Sequence, residues 1–80
     1  MEENDLIKLA DEYAENIKLL DRSIAQCHEA IKQASENNRK AIVARLKANV
    51  AQMYRQRREL AETENHLRYY YSVEEDKKAG

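Results

Sequence analysis

No proline occurs in these 80 residues, and the only glycine is the last one, Gly80. Nothing therefore interrupts a helix between residues 1 and 79. Phe and Trp are also missing, so a core must be aliphatic, helped only by five tyrosines. One cysteine, Cys27, excludes an internal disulfide and suits a reducing compartment. No stretch approaches the ~18 consecutive apolar residues that a membrane span requires. The segment Met1-Glu2-Glu3-Asn4-Asp5 is acidic and lacks the basic flank and apolar stretch of a signal peptide, so the expected location is cytoplasmic, with no membrane partner.

What the chain does have is charge, at 36% of residues, and a strict apolar rhythm. Leu6, Ala10, Tyr13, Ile17, Leu20, Ile24, Cys27, Ile31 and Ala34 step by four and three without a slip, which is a heptad seam with Ala10, Ile17, Ile24 and Ile31 at a. A second seam runs through Val43, Leu46, Val50, Met53, Arg57, Leu60, Glu64, Leu67 and Tyr71. Between them, Ala34 and Val43 are nine residues apart. At about 100° per residue that is roughly two and a half turns, so one straight helix would carry its two seams on opposite sides. A reversal brings them face to face.

The segment Ser35-Glu36-Asn37-Asn38 suits that reversal, because Asn tolerates the left-handed conformation that ends helices and Asn38 is also a plausible cap for the next one. In an antiparallel pair, facing residues have a constant index sum. Ile31 with Leu46, Cys27 with Val50, Ile24 with Met53, Leu20 with Arg57, Ile17 with Leu60, Tyr13 with Glu64, Ala10 with Leu67 and Leu6 with Tyr71 all sum to 77. The expected fold is all-α: an antiparallel two-helix coiled-coil hairpin in one domain, residues 1–72. Helix one spans about residues 5–35, the turn about 35–38 and helix two about 39–72. Asn4 or Asp5 is the expected cap of helix one. Residues 73–80 have no seam and dense charge, and read as a frayed tail.

Two charged residues interrupt the second seam, Arg57 opposite Leu20 and Glu64 opposite Tyr13. Such residues set register and orientation at a cost in stability. Arg57 is placed to snorkel toward Asp21, and Glu64 to accept from the Tyr13 hydroxyl. Cys27 reads as a small hydrophobe in its layer. His28 flanks the seam near Lys47, while His66 lies on the outer surface at the other end, too far away for a joint metal site. No Gly-rich phosphate loop, cysteine pair or Ser–His arrangement is present, so no catalytic residue, cofactor or metal is expected, and the chain reads as non-enzymatic.

Interest then moves to the sides of the seam. One side carries Leu9, Asn16, Ser23 and Ala30 against Asn49, Gln56, Thr63 and Tyr70, polar but neutral. The other carries Ile7, Ala14, Tyr54 and Ala61, with Ala44 and Ala51 further out. Small residues at helical spacing allow a second helix to approach, and Tyr54 offers an aromatic anchor. A domain this small seldom supplies more than about 3–5 kcal/mol alone, so the expected state is a homodimer forming a four-helix bundle through this alanine side, with another helical protein as a further possible partner. Tyr69-Tyr70-Tyr71 reads as an end clamp, with Tyr71 in the seam, Tyr70 over Leu9 and Tyr69 outward.

Charge is unevenly spread: residues 1–36 hold nine acidic and four basic side chains, residues 39–68 three acidic and eight basic. An alternative reading is therefore a nucleic-acid-binding regulator using Arg45, Arg55 and Arg58 on the outer face of helix two. Against it, Glu59 and Glu62 interrupt the basic stripe and the pI is about 6.1. The layout resembles that of small bacterial antiparallel hairpin proteins that dimerise into bundles, plasmid copy-control types among them. The likeness is one of architecture with no shared motif, and assigns no role to any residue. Size, absence of targeting signals and uninterrupted helix suit a small bacterial or phage-type regulator or adaptor.

Overall fold

The computed structural model describes the backbone from residue 3 to residue 79 and the side chains of residues 5–70. The described residues form two helices, α1 (Glu3–Glu36) and α2 (Lys40–Ala79), packed against each other as an antiparallel hairpin. The result is a rod of 63 × 16 × 14 Å, two helices wide and one deep. Among the described residues there is no strand.

The turn is built by local hydrogen bonding around one left-handed residue. Asn38 has φ 56°, the conformation that places Cβ too near the following carbonyl for most residues but that Asn tolerates. Its N–H donates to the Ser35 carbonyl at 3.1 Å, and the Arg39 N–H donates back to Ala34 at 2.9 Å. This pair of bonds is a Schellman termination, which satisfies carbonyls that the end of α1 would otherwise leave open. The Asn37 side chain adds a third, donating through Nδ2 to the Gln33 carbonyl at 3.0 Å.

Asn38 thus ends α1 and does not cap α2. The capping position falls to Arg39, whose carbonyl accepts the first bond of α2 from Val43 at 3.0 Å. An arginine side chain has no acceptor for the free N–H groups there, and no acidic residue occupies the first turn of α2. Likewise, α1 has no basic residue in its last turn. Neither helix dipole is complemented at the turn, so the reversal rests on Asn38 and on the packing of the arms.

Both other ends differ from the sequence expectation. The first turn of α1 begins at Glu3, which puts Asn4 and Asp5 inside the helix, where negative charge suits the dipole. The backbone of α2 continues helical through residues 73–79, beyond the expected frayed point. Glu, Asp, Lys and Ala are tolerated in helices, and no proline or glycine precedes Gly80, so a missing seam alone does not end the helix. The Leu6–Tyr71 layer involves a side chain outside the described residues.

Burial follows the two seams. Every seam residue from Leu6 to Leu67 is buried or half-buried. The core proper is Ala10, Ile17, Ile24, Ala34 and Val50, each at most 9% exposed. Side-chain bonds between the arms link residues whose numbers sum to 78, 79 and 82, within a side chain's reach of the expected register.

Candidate interaction surfaces

The seam divides the rod into two unlike sides. All hydrogen bonds between side chains of opposite arms, among the described residues, lie on the side of Ala14, Tyr54 and Ala61. Arg57 leans out of its layer and donates from Nε to Asp21 Oδ1 at 2.6 Å, with a longer bond from Nη2 to Oδ2 at 3.4 Å. This is the snorkelling that an arginine in a narrow apolar layer requires. The hydrogen bond to Asp21, and after it the carboxylate's charge, raise the Arg57 pKa above its ordinary value.

Glu64 is paired differently from expectation. It accepts from Arg68 Nε at 2.8 Å, one turn along its own helix, and not from the Tyr13 hydroxyl. Arg68 Nη2 reaches across to Asp11 Oδ1 at 3.0 Å, so one guanidinium bridges two carboxylates on different helices. Those bonds, led by the one to Glu64, raise the Arg68 pKa as well. A charged donor supplies Glu64 with a stronger hydrogen bond than a phenol would. The bridge made by Arg68 depends on the three-dimensional offset of the arms.

Nearer the turn, His28 Nε2 and the Tyr54 hydroxyl share a 3.2 Å hydrogen bond, their rings tilted with centroids 6.2 Å apart. Tyr54 remains 47% exposed, with its polar tip already engaged. Of the residues expected to form an interface here, Ile7, Ala14 and Ala61 are half-buried, and Ala44 and Ala51 are exposed. They share their side with the Asp21–Arg57 pair and the Asp11–Arg68–Glu64 bridge.

Among the described residues the opposite side has no charge at a flanking position: Leu9, Asn16, Ser23 and Ala30 on α1, and Ile42, Asn49, Gln56, Thr63 and Tyr70 on α2. A shallow groove lined by Asn16, Leu19, Leu20, Ser23, Gln56, Glu59 and Leu60 crosses its middle. Leu19 is 55% exposed on the lip of that groove. Toward the turn, Ile42, 41% exposed, lines a second depression with Ala30, Ala34 and Leu46, bordered by Gln33, Asn37 and Arg39. Sequence reading passed over Leu19 and Ile42. Their signal was there: they are large apolar residues at helical positions just off the seam.

At the open end Tyr69 is exposed, as expected. Tyr70 is 53% exposed and sits edge-on to His66, with centroids 5.1 Å apart, and to Tyr69. The side chain of Tyr71 lies outside the described residues. Arg45, Arg55 and Arg58 are all exposed and make no ion pair among the described residues. They span 13 positions, roughly 20 Å along α2 and about 140° around it, so they are scattered over the outer surface and do not form a single stripe.

Cys27 is half-buried in the seam. Among the described residues no group of three or more His, Cys, Asp or Glu is arranged to hold a metal ion, and no helix is long and apolar enough to cross a membrane. No protein-family model, curated protein or solved structure matches this chain.

Proposed function

We propose that this chain is a non-enzymatic interaction module, a small cytoplasmic regulator or adaptor that acts through its helix faces and pairs with a second copy in a four-helix bundle. One observation carries this reading. Among the described residues a rod 63 Å long buries five apolar side chains, while Leu19, Ile42, Tyr54, Tyr69 and Tyr70 remain more than 40% exposed. A hairpin one layer deep has little hydrophobic area to set against the entropy of ordering its chain, and association supplies the remainder. Another helical protein could use the same faces.

Analytical ultracentrifugation across a micromolar range tests the reading. A concentration-dependent shift from about 9.4 kDa to twice that mass supports it. A monomer at every concentration overturns self-association.

A second reading, nucleic-acid binding, draws support from Arg45, Arg55 and Arg58, which make no ion pair among the described residues while Arg57 and Arg68 are engaged by carboxylates. Their scatter and the net charge of −1 weigh against it. Fluorescence polarisation with duplex and single-stranded DNA and RNA at low salt decides: binding that falls steeply with salt supports this reading, and none at low salt removes it.

A further inference from the structure

We propose that the second copy packs on the uncharged side of the hairpin, over the groove beneath Leu19, with the two rods antiparallel. This inference rests on the self-association just proposed and names its face and direction. It departs from the expectation that Tyr54 and the alanines form the interface.

Desolvation separates the two sides. Covering the Tyr54 side would remove water from the Asp21–Arg57 pair and the Arg68 bridge, whose side chains are now 38–65% exposed apart from Glu64. Dehydrating such pairs commonly costs more than their attraction returns. Among the described residues the opposite side holds no ion pair between the arms, and of the residues lining its groove only Glu59 is charged. Asn16, Ser23 and Gln56 there can hydrogen-bond across an interface or to trapped water, and Leu19 and Ile42 supply apolar area. The area is sufficient: a face of 63 by 16 Å is roughly 1,000 Å², against the ~800 Å² per partner of a standard stable interface.

Charge sets the direction. Divided at the Leu20–Arg57 layer, the turn half (residues 21–56) has seven basic and three acidic side chains, a net +4. The open half (residues 5–20 and 57–70) has seven acidic and five basic, a net −2. Parallel rods would stack two positive halves within a Debye length of about 10 Å. Antiparallel rods set each positive half against the partner's negative half, and Glu59 is the one charged residue lining the groove between them.

Spin labels on Glu36→Cys in a Cys27→Ala background, read by pulsed dipolar spectroscopy, measure the direction. Antiparallel rods place the two labels at opposite ends, roughly 50 Å apart from the helical rise. A separation below about 20 Å means parallel rods and overturns the proposal while leaving self-association intact. A monomeric wild-type protein overturns both. The face is tested by sedimentation of Leu19→Glu, Ser23→Arg and Tyr54→Glu. The first two are expected to weaken the dimer by roughly tenfold or more, and the third by no more than about twofold. The reverse pattern returns the interface to the alanine side. All three sites are exposed, so circular dichroism should show full helicity, and a shared loss of dimer by Leu19→Glu and Ser23→Arg reports the face and not the fold.

Discussion

Arg57, a charged residue in the middle of the apolar seam, is held by Asp21 of the opposite helix through a bond of 2.6 Å and a second of 3.4 Å. Both side chains are more than 40% exposed, so the pair is solvated and screened, and its value is in directing the guanidinium out of the layer. Asp21→Asn should lower the thermal midpoint slightly at low salt, and the difference should vanish in molar salt. Hydrogen bonding raises the Arg57 pKa, so this contribution is complete below the arginine's unfolded pKa and is lost only as pH rises through the still higher folded one. The difference between wild type and Asp21→Asn is therefore expected to stay level between roughly pH 7 and 10. A difference that shrinks over that range would argue against the pair as its source.

Replacing the arginine itself should act in the other direction. Arg57→Leu completes an apolar layer with Leu20, at the loss of only a solvated, screened ion pair. The midpoint should rise. The cost should appear in specificity, as additional oligomeric species in size-exclusion chromatography with light scattering, because a polar seam residue restricts register and partner number. A midpoint that falls would show that the Asp21 contact outweighs the missing apolar packing.

At the turn, Asn38 occupies left-handed backbone at φ 56°. Asn38→Gly removes the Cβ conflict and should be neutral or stabilising by a few tenths of a kcal/mol, whereas Asn38→Val should cost about 1–2 kcal/mol. Equal urea midpoints for Asn38→Val and wild type would mean that the arms, not this residue, hold the reversal.

Arg39 stands where α2 needs a side-chain acceptor, at the positive end of its dipole. Arg39→Asp should stabilise the hairpin by about 1 kcal/mol, through a bond to the free N–H groups and removal of a misplaced cation. Urea denaturation of the two proteins side by side measures it; an unchanged or lower midpoint refutes the capping account.

Ile24 lies at the centre of the rod and is 5% exposed. Ile24→Ala should cost about 2–4 kcal/mol, enough to unfold much of a domain this small at ambient temperature. Gln26→Ala, two residues away and exposed, should change little by the same circular dichroism measurement.

The seam shows how far periodicity alone reaches. Heptad positions depend on the number of residues between apolar side chains, and a helix converts that count directly into a face, so Leu6 to Leu67 are buried or half-buried where the spacing put them. The reversal near Asn38 was legible for the same reason, through the half-turn phase change between Ala34 and Val43. Its details were not: whether Asn38 ends α1 or caps α2 turns on a single φ angle, and both roles suit asparagine. The far end of α2 was misread because the loss of an apolar partner was equated with the loss of helix, although the residues themselves still favour it.

Side-chain pairing divides along the same line. Asp21 as the partner of Arg57 was accessible from the layers, since the two lie almost level in the 77 register. The choice of Arg68 over Tyr13 by Glu64, and the bond between His28 and Tyr54, depend on rotamers and on how far long side chains lean along the rod. The exposure of Leu19 and Ile42 has the same origin, because a residue's distance from the seam sets its burial only after a neighbouring helix covers it or leaves it open. Composition and spacing alone therefore determined an unbroken helical chain folded once upon itself, because each helical turn reads only local sequence. Tertiary structure decided which charges neutralise one another, and left Leu19 and Ile42 exposed on the side already neutral in sequence, because pairing and cover depend on distances between residues far apart in the chain.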